Sequence, residues 1–340
     1  MPDIRSAGEP SPELFLEGVR GFHTTAALKA AIALDLFSHI ATSEGSPDAL
    51  QKATGASARG LRILCDYLTV AGYVEKSAGQ YRLTPSSALF LDRRSPAYVG
   101  TIVEFLASPE MFRMFLDDPV AYVRKGGATG WGTVGPDDPV WVGFARAMTP
   151  FIVPVARATG EILSAGGPST RILDIAAGHG LFGLEMALRQ PSARVTAVDW
   201  KNVLEVASEN YAARGIGERL ERKPGSAFEI EFGTGYDLAL LTNFLHHFDE
   251  ATCVSLLHKV HAALAPGGRI AATEFVPDEG RVSPTVPAAF ALIMLATTPA
   301  GDAYTFSELD RMFAAAGFVG TKEYKLPPTP QTLLVASKPG

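Results

Sequence analysis

From residue 171 onward, short apolar runs alternate with amphipathic helical stretches, and this alternation constrains the fold more than any other feature. RILDIA (171–176), RVTAVD (194–199), YDLALL (236–241) and RIAATEF (269–275) read as buried strands, with a weaker one at RLERK (219–223). Helical intervals between them predict an α/β fold with a doubly wound, mainly parallel sheet covered on both faces. The closing stretch, 318–338, predicts two further strands forming a hairpin along the sheet edge. No internal repeat is visible.

The chain has 340 residues, too many for one ordinary core, so a second domain is expected ahead of the sheet. After a loose leader of about ten residues, a helical pattern starts at Pro12 and carries Leu14, Phe15, Val19, Phe22, Leu28, Ile32, Leu36 and Phe37. Ser46 is placed to cap a short helix with Pro47 at its first position, and Gly55 ends it. Ser57 opens another helix, and 73–85 reads as a hairpin turning at Ala78-Gly79. Helix, turn, helix, hairpin is the order of a winged helix. Residues 95–165 are helical, broken by the glycine-rich KGGATGWGTVG at 125–135.

Composition excludes several classes of function. Hydrophobic residues make up 47% and charged residues 19%, which supports packed cores and rules out disorder beyond the termini. The net charge is −6, and residues 1–110 carry ten Lys or Arg against twelve Asp or Glu, so a nucleic-acid partner is not expected despite the winged-helix order. Two cysteines, Cys65 and Cys253, cannot build a disulfide framework or a cysteine-rich metal site. The start is polar, and the longest uncharged apolar run, 288–296, is too short for a bilayer. A cytoplasmic protein with no membrane partner is expected. Its first helices carry more apolar surface than a small domain can bury, which predicts a homodimer.

The first strand ends in Asp174-Ile175-Ala176-Ala177-Gly178-His179-Gly180 and runs directly into a helix. Glycines at Gly178 and Gly180 let backbone approach a ligand and present N–H groups at a helix start. The second strand ends at Asp199, twenty-five positions after Asp174, where a carboxylate can accept both hydroxyls of a ribose. A carboxylate at Asp174 would repel a pyrophosphate but suits a ligand with a cationic amino-acid end.

With DIAAGHG, VDW at 198–200, LHHFDE at 245–250 and APGGRI at 265–270, the chain resembles the class I S-adenosylmethionine-dependent methyltransferases. More narrowly, it is similar to the small-molecule O-methyltransferases with an N-terminal winged-helix dimerisation domain. The resemblance implies a seven-stranded Rossmann-like sheet with its last strand antiparallel, S-adenosylmethionine as cofactor, a small-molecule acceptor and a domain-exchanged homodimer. It implies a dimerisation domain over 1–105, connecting helices contributing to the substrate pocket over 106–165, and a cofactor-binding domain over 166–340. Implied cofactor contacts are Asp174, Gly178, Gly180, Asp199, Trp200, Ser226, Ala227, Phe228, Thr242 and Asn243. His246 takes the position of the family's catalytic base and Glu274 that of a carboxylate orienting it. Phe144, Met148, Phe290 and Met294 fall among helices that cover the acceptor, which is expected to be apolar and ring-bearing.

The departures from the pattern matter as much. His247 and Phe248 replace the Asp-Trp that follows the base, and His247 is expected to cap the helix starting near Asp249. A third acidic position falls on Ala303, so that carboxylate is missing unless Asp302 substitutes. Ser226 replaces an aspartate, and Thr242 a lysine. No metal is implied, although the paired histidines leave one open. Carbon or nitrogen methylation, or a non-methylating reaction on the same fold, also stays open. A histidine near neutral pKa remains suited to taking a hydroxyl proton.

Overall fold

The structure, a computed structural model, describes residues 10–43, 45–130 and 138–340. The expected leader and the second half of the glycine-rich loop lie outside the described residues, apart from Pro10 and 125–130. The chain divides into two units, Met1–Ser108 and Pro109–Gly340.

In the first unit the long helical pattern becomes two helices, α1 (Glu13–Ala33) and α2 (Leu36–Thr42). The break falls at Asp35, whose φ of 49° is left-handed and cannot continue a helix. Helix α3 (Pro47–Thr54) is capped by Ser46, whose side chain accepts from Ala49 N, and ends at Gly55 with φ 70°. Ser57 likewise caps α4 (Ala58–Val70). Strands β1 (Val74–Ser77) and β2 (Gln80–Leu83) pair antiparallel about Ala78 and Gly79, both at positive φ, as a two-residue hairpin turn requires. Phe37, Leu50, Leu61, Leu68 and Tyr81 form the core of this unit. Helices α5 (Pro85–Phe90) and α6 (Ile102–Leu106) complete it.

The second unit opens with α7 (Pro109–Leu116), α8 (Pro119–Lys125) and α9 (Pro139–Ala165). Next come β3 (Arg171–Ile175), α10 (Leu181–Arg189), β4 (Arg194–Asp199), α11 (Val203–Ala213), β5 (Leu220–Pro224) and β6 (Tyr236–Thr242). Then follow α12 (Glu250–Ala263), β7 (Leu264–Glu274), α13 (Thr285–Thr297), α14 (Phe306–Ala315), β8 (Val319–Lys325) and β9 (Thr332–Ser337). The seven strands lie in the order β5-β4-β3-β6-β7-β9-β8. Only β9 runs antiparallel, paired with β7 on one side and β8 on the other.

Alternation along the strands makes the two faces. Leu173, Ile175, Ala239, Leu241, Ala272 and Leu334 pack with α12 and α14. Ile172, Leu238, Leu240, Ala271 and Leu333 pack with α9 and α10. Among the described residues α9 alone is long and apolar enough to cross a membrane by length and composition. Its Ile152, Val155, Ala156 and Leu163 belong to the second of these cores. The parallel strands all present their C-terminal ends to one edge, and the strand order reverses between β3 and β6. That edge is where an open α/β sheet binds ligands.

Candidate active site

The loop after β3 is held by two carboxylates. Asp199 Oδ2 accepts from Gly178 N at 2.8 Å and Oδ1 from Trp200 N at 2.7 Å. Burial pushes the Asp199 carboxyl up to about 6. Asp174 is 1% exposed; its Oδ2 accepts from Gly183 N at 3.2 Å, and burial pushes it up to about 8. Its Oδ1 is buried without a partner among the described residues. His179 Nδ1 accepts from Leu181 N at 3.2 Å, and burial lowers the imidazole to about 4, so it stays neutral at the start of α10.

The glycines divide by task. At Gly178, with φ 56°, a side chain would meet nothing closer than Ala176 O at 4.0 Å, so the backbone here faces open space. At Gly180, with φ 69°, a Cβ would stand 2.7 Å from Ala207 Cβ, so glycine is needed there for packing against α11. Gly183 was not singled out from the sequence, yet a Cβ there would stand 2.8 Å from Asp174 Oδ2, the Tyr211 hydroxyl and Val195 Cγ1. The signal was present: 178–183 reads G-x-G-x-x-G, whose third glycine allows close helix–strand packing.

The other expected cofactor residues gather at the ends of neighbouring strands. Trp200 packs with Trp141, Val142 and Val206. Ser226 Oγ accepts from Phe228 N at 3.2 Å, Ala227 is buried, and Phe228 meets Phe248 edge-on at 4.9 Å. Thr242 is buried at the end of β6. Asn243 follows it with φ 53°; its N–H donates to Thr273 O at 2.7 Å, and its buried Oδ1 has no partner among the described residues.

Beyond Asn243 the chain makes one 3-10 turn, Leu245–His247. Glu274, at the end of β7, organises it. Oε1 accepts from Phe244 N at 3.1 Å and Leu245 N at 2.9 Å, and Oε2 lies 2.5 Å from His246 Nδ1. Both side chains are buried, at 6% and 5% exposure. A carboxylate only accepts, so Nδ1 is the donor in this contact. Cys253 Sγ backs the turn, donating to Leu245 O at 3.2 Å, and burial pushes this thiol up to about 12.

His247 does not cap α12. The N-cap is Asp249, whose Oδ1 accepts from Thr252 N at 2.7 Å, a carboxylate being the better acceptor at a helix start. The His247 ring instead lies 4.4 Å from that of His246, and burial drives its pKa well below the ordinary value, with His246 adding to the shift. Asp302 does not replace the missing carboxylate at Ala303. Its Oδ2 accepts from Arg281 Nη1 at 3.1 Å, and the same guanidinium reaches Ala303 O at 3.1 Å and Glu308 Oε1 at 2.5 Å. The tied segment supports the histidine turn by shape: a Cβ on Gly301 would collide with His246 O, and the Tyr304 hydroxyl donates to Phe248 O at 2.5 Å.

Of the four expected acceptor-side residues, Phe290 comes to the histidine, edge-on at 4.9 Å, with Phe275 stacked on it at 4.1 Å. Met148 packs onto the core beneath α9, and Phe144 lies one turn earlier. Met294 is 3% exposed, its side chain taken up by packing. Among the described residues no three His, Cys, Asp or Glu side chains are grouped to hold a metal ion.

The glycine loop, the buried Asp199 and the buried His246–Glu274 pair gather at the ligand edge of this sheet, and comparison with known proteins gives the family. The O-methyltransferase domain matches residues 112–319, and the O-methyltransferase dimerisation domain matches 16–93. The chain belongs to the S-adenosylmethionine-dependent O-methyltransferase family. It is 46% identical to a Nostoc punctiforme protein classed as an O-methyltransferase, covering 97% of this chain and 100% of that one, with a TM-score of 0.93. It is 27% identical to the 3-hydroxy-5-methyl-1-naphthoate 3-O-methyltransferase of Streptomyces sahachiroi, over 90% of this chain and 89% of the relative. The fold also matches human N-acetylserotonin methyltransferase in complex with S-adenosylmethionine, at 22% identity and a TM-score of 0.83, over 99% of this chain and 100% of that one. The residues present fit that cofactor. Gly178 leaves open space for a ligand, Asp199 offers carboxylate oxygens able to accept from a ribose, and the unpartnered, buried Asp174 Oδ1 would suit a cationic amino-acid end.

Proposed function

We propose that His246 is the general base of the methyl transfer, that Glu274 positions it, and that the acceptor is a small ring-bearing molecule methylated on a hydroxyl. The observation that carries this reading is the 2.5 Å contact between His246 Nδ1 and Glu274 Oε2. That contact favours the hydrogen on Nδ1, which would leave Nε2 to take the acceptor's proton. S-adenosylmethionine supplies, when bound, an electrophilic methyl group. The chain's own residues have two tasks: to align the acceptor oxygen and to remove its proton. An unactivated phenol has a pKa of about 10, so a placed base is worth roughly 10²–10⁴-fold in rate. Phe290 and Phe275 beside His246 favour a flat aromatic acceptor, as does the naphthoate substrate of the Streptomyces relative.

The working unit in this reading is a homodimer formed through the first unit. Leu14, Phe15, Val19 and Phe22 of α1 are each more than half exposed, and they lie in or beside the segment matching the dimerisation domain. Buried, unpaired Cys65 and Cys253 favour a reducing, cytoplasmic setting. The test is His246→Ala, assayed against a panel of phenols and hydroxy aromatic acids. Turnover is expected to fall about a hundredfold or more, with affinity for S-adenosylhomocysteine held. Turnover near wild type would overturn the assignment.

A further inference from the structure

Gln331 stands just before β9 and is 2% exposed, yet neither its Oε1 nor its Nε2 has a hydrogen-bond partner among the described residues. A carboxamide carries two donors and an acceptor, and burying all of them unmatched is among the costlier defects a core can hold. Such a group calls for a partner that is not part of the chain.

Its position says what kind. The β7–β9 ladder ends with Glu274 opposite Thr332, so Gln331 comes one step further, alongside Phe275. Phe275 stacks on Phe290, which lies against the His246 ring. Alternation from Leu333 and Val335 turns Gln331 toward the α9 side of the sheet, onto which Met148 also packs. Two more unpartnered buried atoms occur at the ends of the adjoining strands, Asn243 Oδ1 after β6 and Thr273 Oγ1 in β7. Buried unmatched atoms also occur in helices, at Thr159, Tyr211 and His261, but those of Asn243, Thr273 and Gln331 lie toward the ligand edge of the sheet, with Gln331 at the end remote from the Asp199 loop.

Building on the O-methyltransferase reading, we propose that Gln331 is the polar anchor of the acceptor site, binding an uncharged carbonyl-type group, a carboxamide above all, carried on the acceptor's ring. A neutral amide cannot offset a buried ion, which disfavours a carboxylate or ammonium partner. A carboxamide returns one donor and one acceptor to the side chain. A ketone returns only the acceptor. A plain phenol ring leaves both halves of Gln331 unmatched.

The test uses the full-length protein saturated with S-adenosylhomocysteine and titrated with 3-hydroxy-2-naphthamide, the matching methyl ketone and 2-naphthol. The wild type is expected to bind the amide at least about tenfold more tightly than the naphthol, with the ketone between them. Gln331→Met should reduce the preference to about onefold while leaving S-adenosylhomocysteine affinity unchanged and melting temperature no lower, since an unmatched amide has been removed. A wild type that does not discriminate overturns the proposal, and so does a variant that keeps the full preference, because water would then be the partner of Gln331. Should Gln331→Met fail to fold, the order of the three ligands on the wild type decides alone. Failure of the wild type to bind S-adenosylhomocysteine in the first titration would instead strike the methyltransferase reading.

Discussion

Replacing Glu274 by glutamine tests the histidine's tautomer with almost no change in volume. Two orientations of the new amide are available. In one, its oxygen keeps the N–H groups of Phe244 and Leu245, at 3.1 and 2.9 Å in the native contacts, and its NH₂ faces His246 Nδ1. In the other, the oxygen faces Nδ1 and the NH₂ meets two backbone donors, leaving both unsatisfied at about 1–3 kcal/mol each. The first orientation wins on that difference. It forces Nδ1 to accept, which moves the imidazole proton onto Nε2 and removes the base. Turnover of Glu274→Gln should therefore fall by about 10²–10⁴-fold, the share a general base supplies. Stability should drop by only about 1–2 kcal/mol, for one charge-assisted bond weakened. Glu274→Ala abandons the two backbone donors as well and should destabilise more. Steady-state kinetics on an accepted phenol, calorimetry with S-adenosylhomocysteine and thermal unfolding read the three quantities separately. If Glu274→Gln is folded, binds S-adenosylhomocysteine and turns over within about threefold of wild type, Nε2 of His246 is not the base.

Three further outcomes are expected. Asp199, raised to about 6 by burial, must be ionised to accept well from a ribose, so S-adenosylhomocysteine affinity should weaken as pH falls through about 6. Ligand-free stability should run the other way: a carboxyl raised in the fold adds stability that is fully present below its unfolded value near 3.8 and lost as pH rises through about 6. Calorimetry and melting from pH 5 to 8 check both signs, and Asp199→Asn should remove the Asp199 share of each while leaving the slope that Asp174, raised to about 8, imposes on stability over the same range. Gly178→Val should abolish cofactor binding with only the strain of its positive φ felt in melting, whereas Gly180→Val, driven into Ala207, should lower the melting temperature first; the reverse ranking would refute the division of tasks. Phe15→Asp combined with Phe22→Asp should yield a monomer by light scattering at micromolar concentration, and an unchanged mass would exclude α1 from the dimer contact.

What could be read in the sequence was whatever rests on local pattern. The central strands β3, β4 and β6 are mostly apolar because both faces are covered, unlike the edge strand β5, and the caps at Ser46 and Ser57 lie within three residues of the N–H they accept. His246 and Glu274 were legible as a pair only through family resemblance, since twenty-eight positions separate them. Other features escaped for definite reasons. Apolar residues continue past Asp35 in helical register, so nothing marked the break there. Helix α13 is apolar at almost every position, so its burial face, and with it the fate of Met294, could not be chosen in advance. The role of Asp302 stayed open in the sequence because its partner, Arg281, comes twenty-one positions earlier and meets it only in three dimensions. Gln331 gave no local sign because an unmet hydrogen bond exists only once everything around it is packed.

Asp199 is a strut of its own loop as well as the proposed ribose contact. Its carboxylate braces the Gly178 backbone through a contact within the chain itself. The loop consequently enters the binding reaction with little disorder left to lose, and the entropic penalty for seating a nucleoside is met largely during folding. Truncating Asp199 would then act twice, deleting a contact and loosening the loop that forms the rest of the cradle. The loosening should register as a less favourable binding entropy, and the lost contact as missing enthalpy. A loop stiffened by other means, such as proline at a compatible position, would recover the former without the latter.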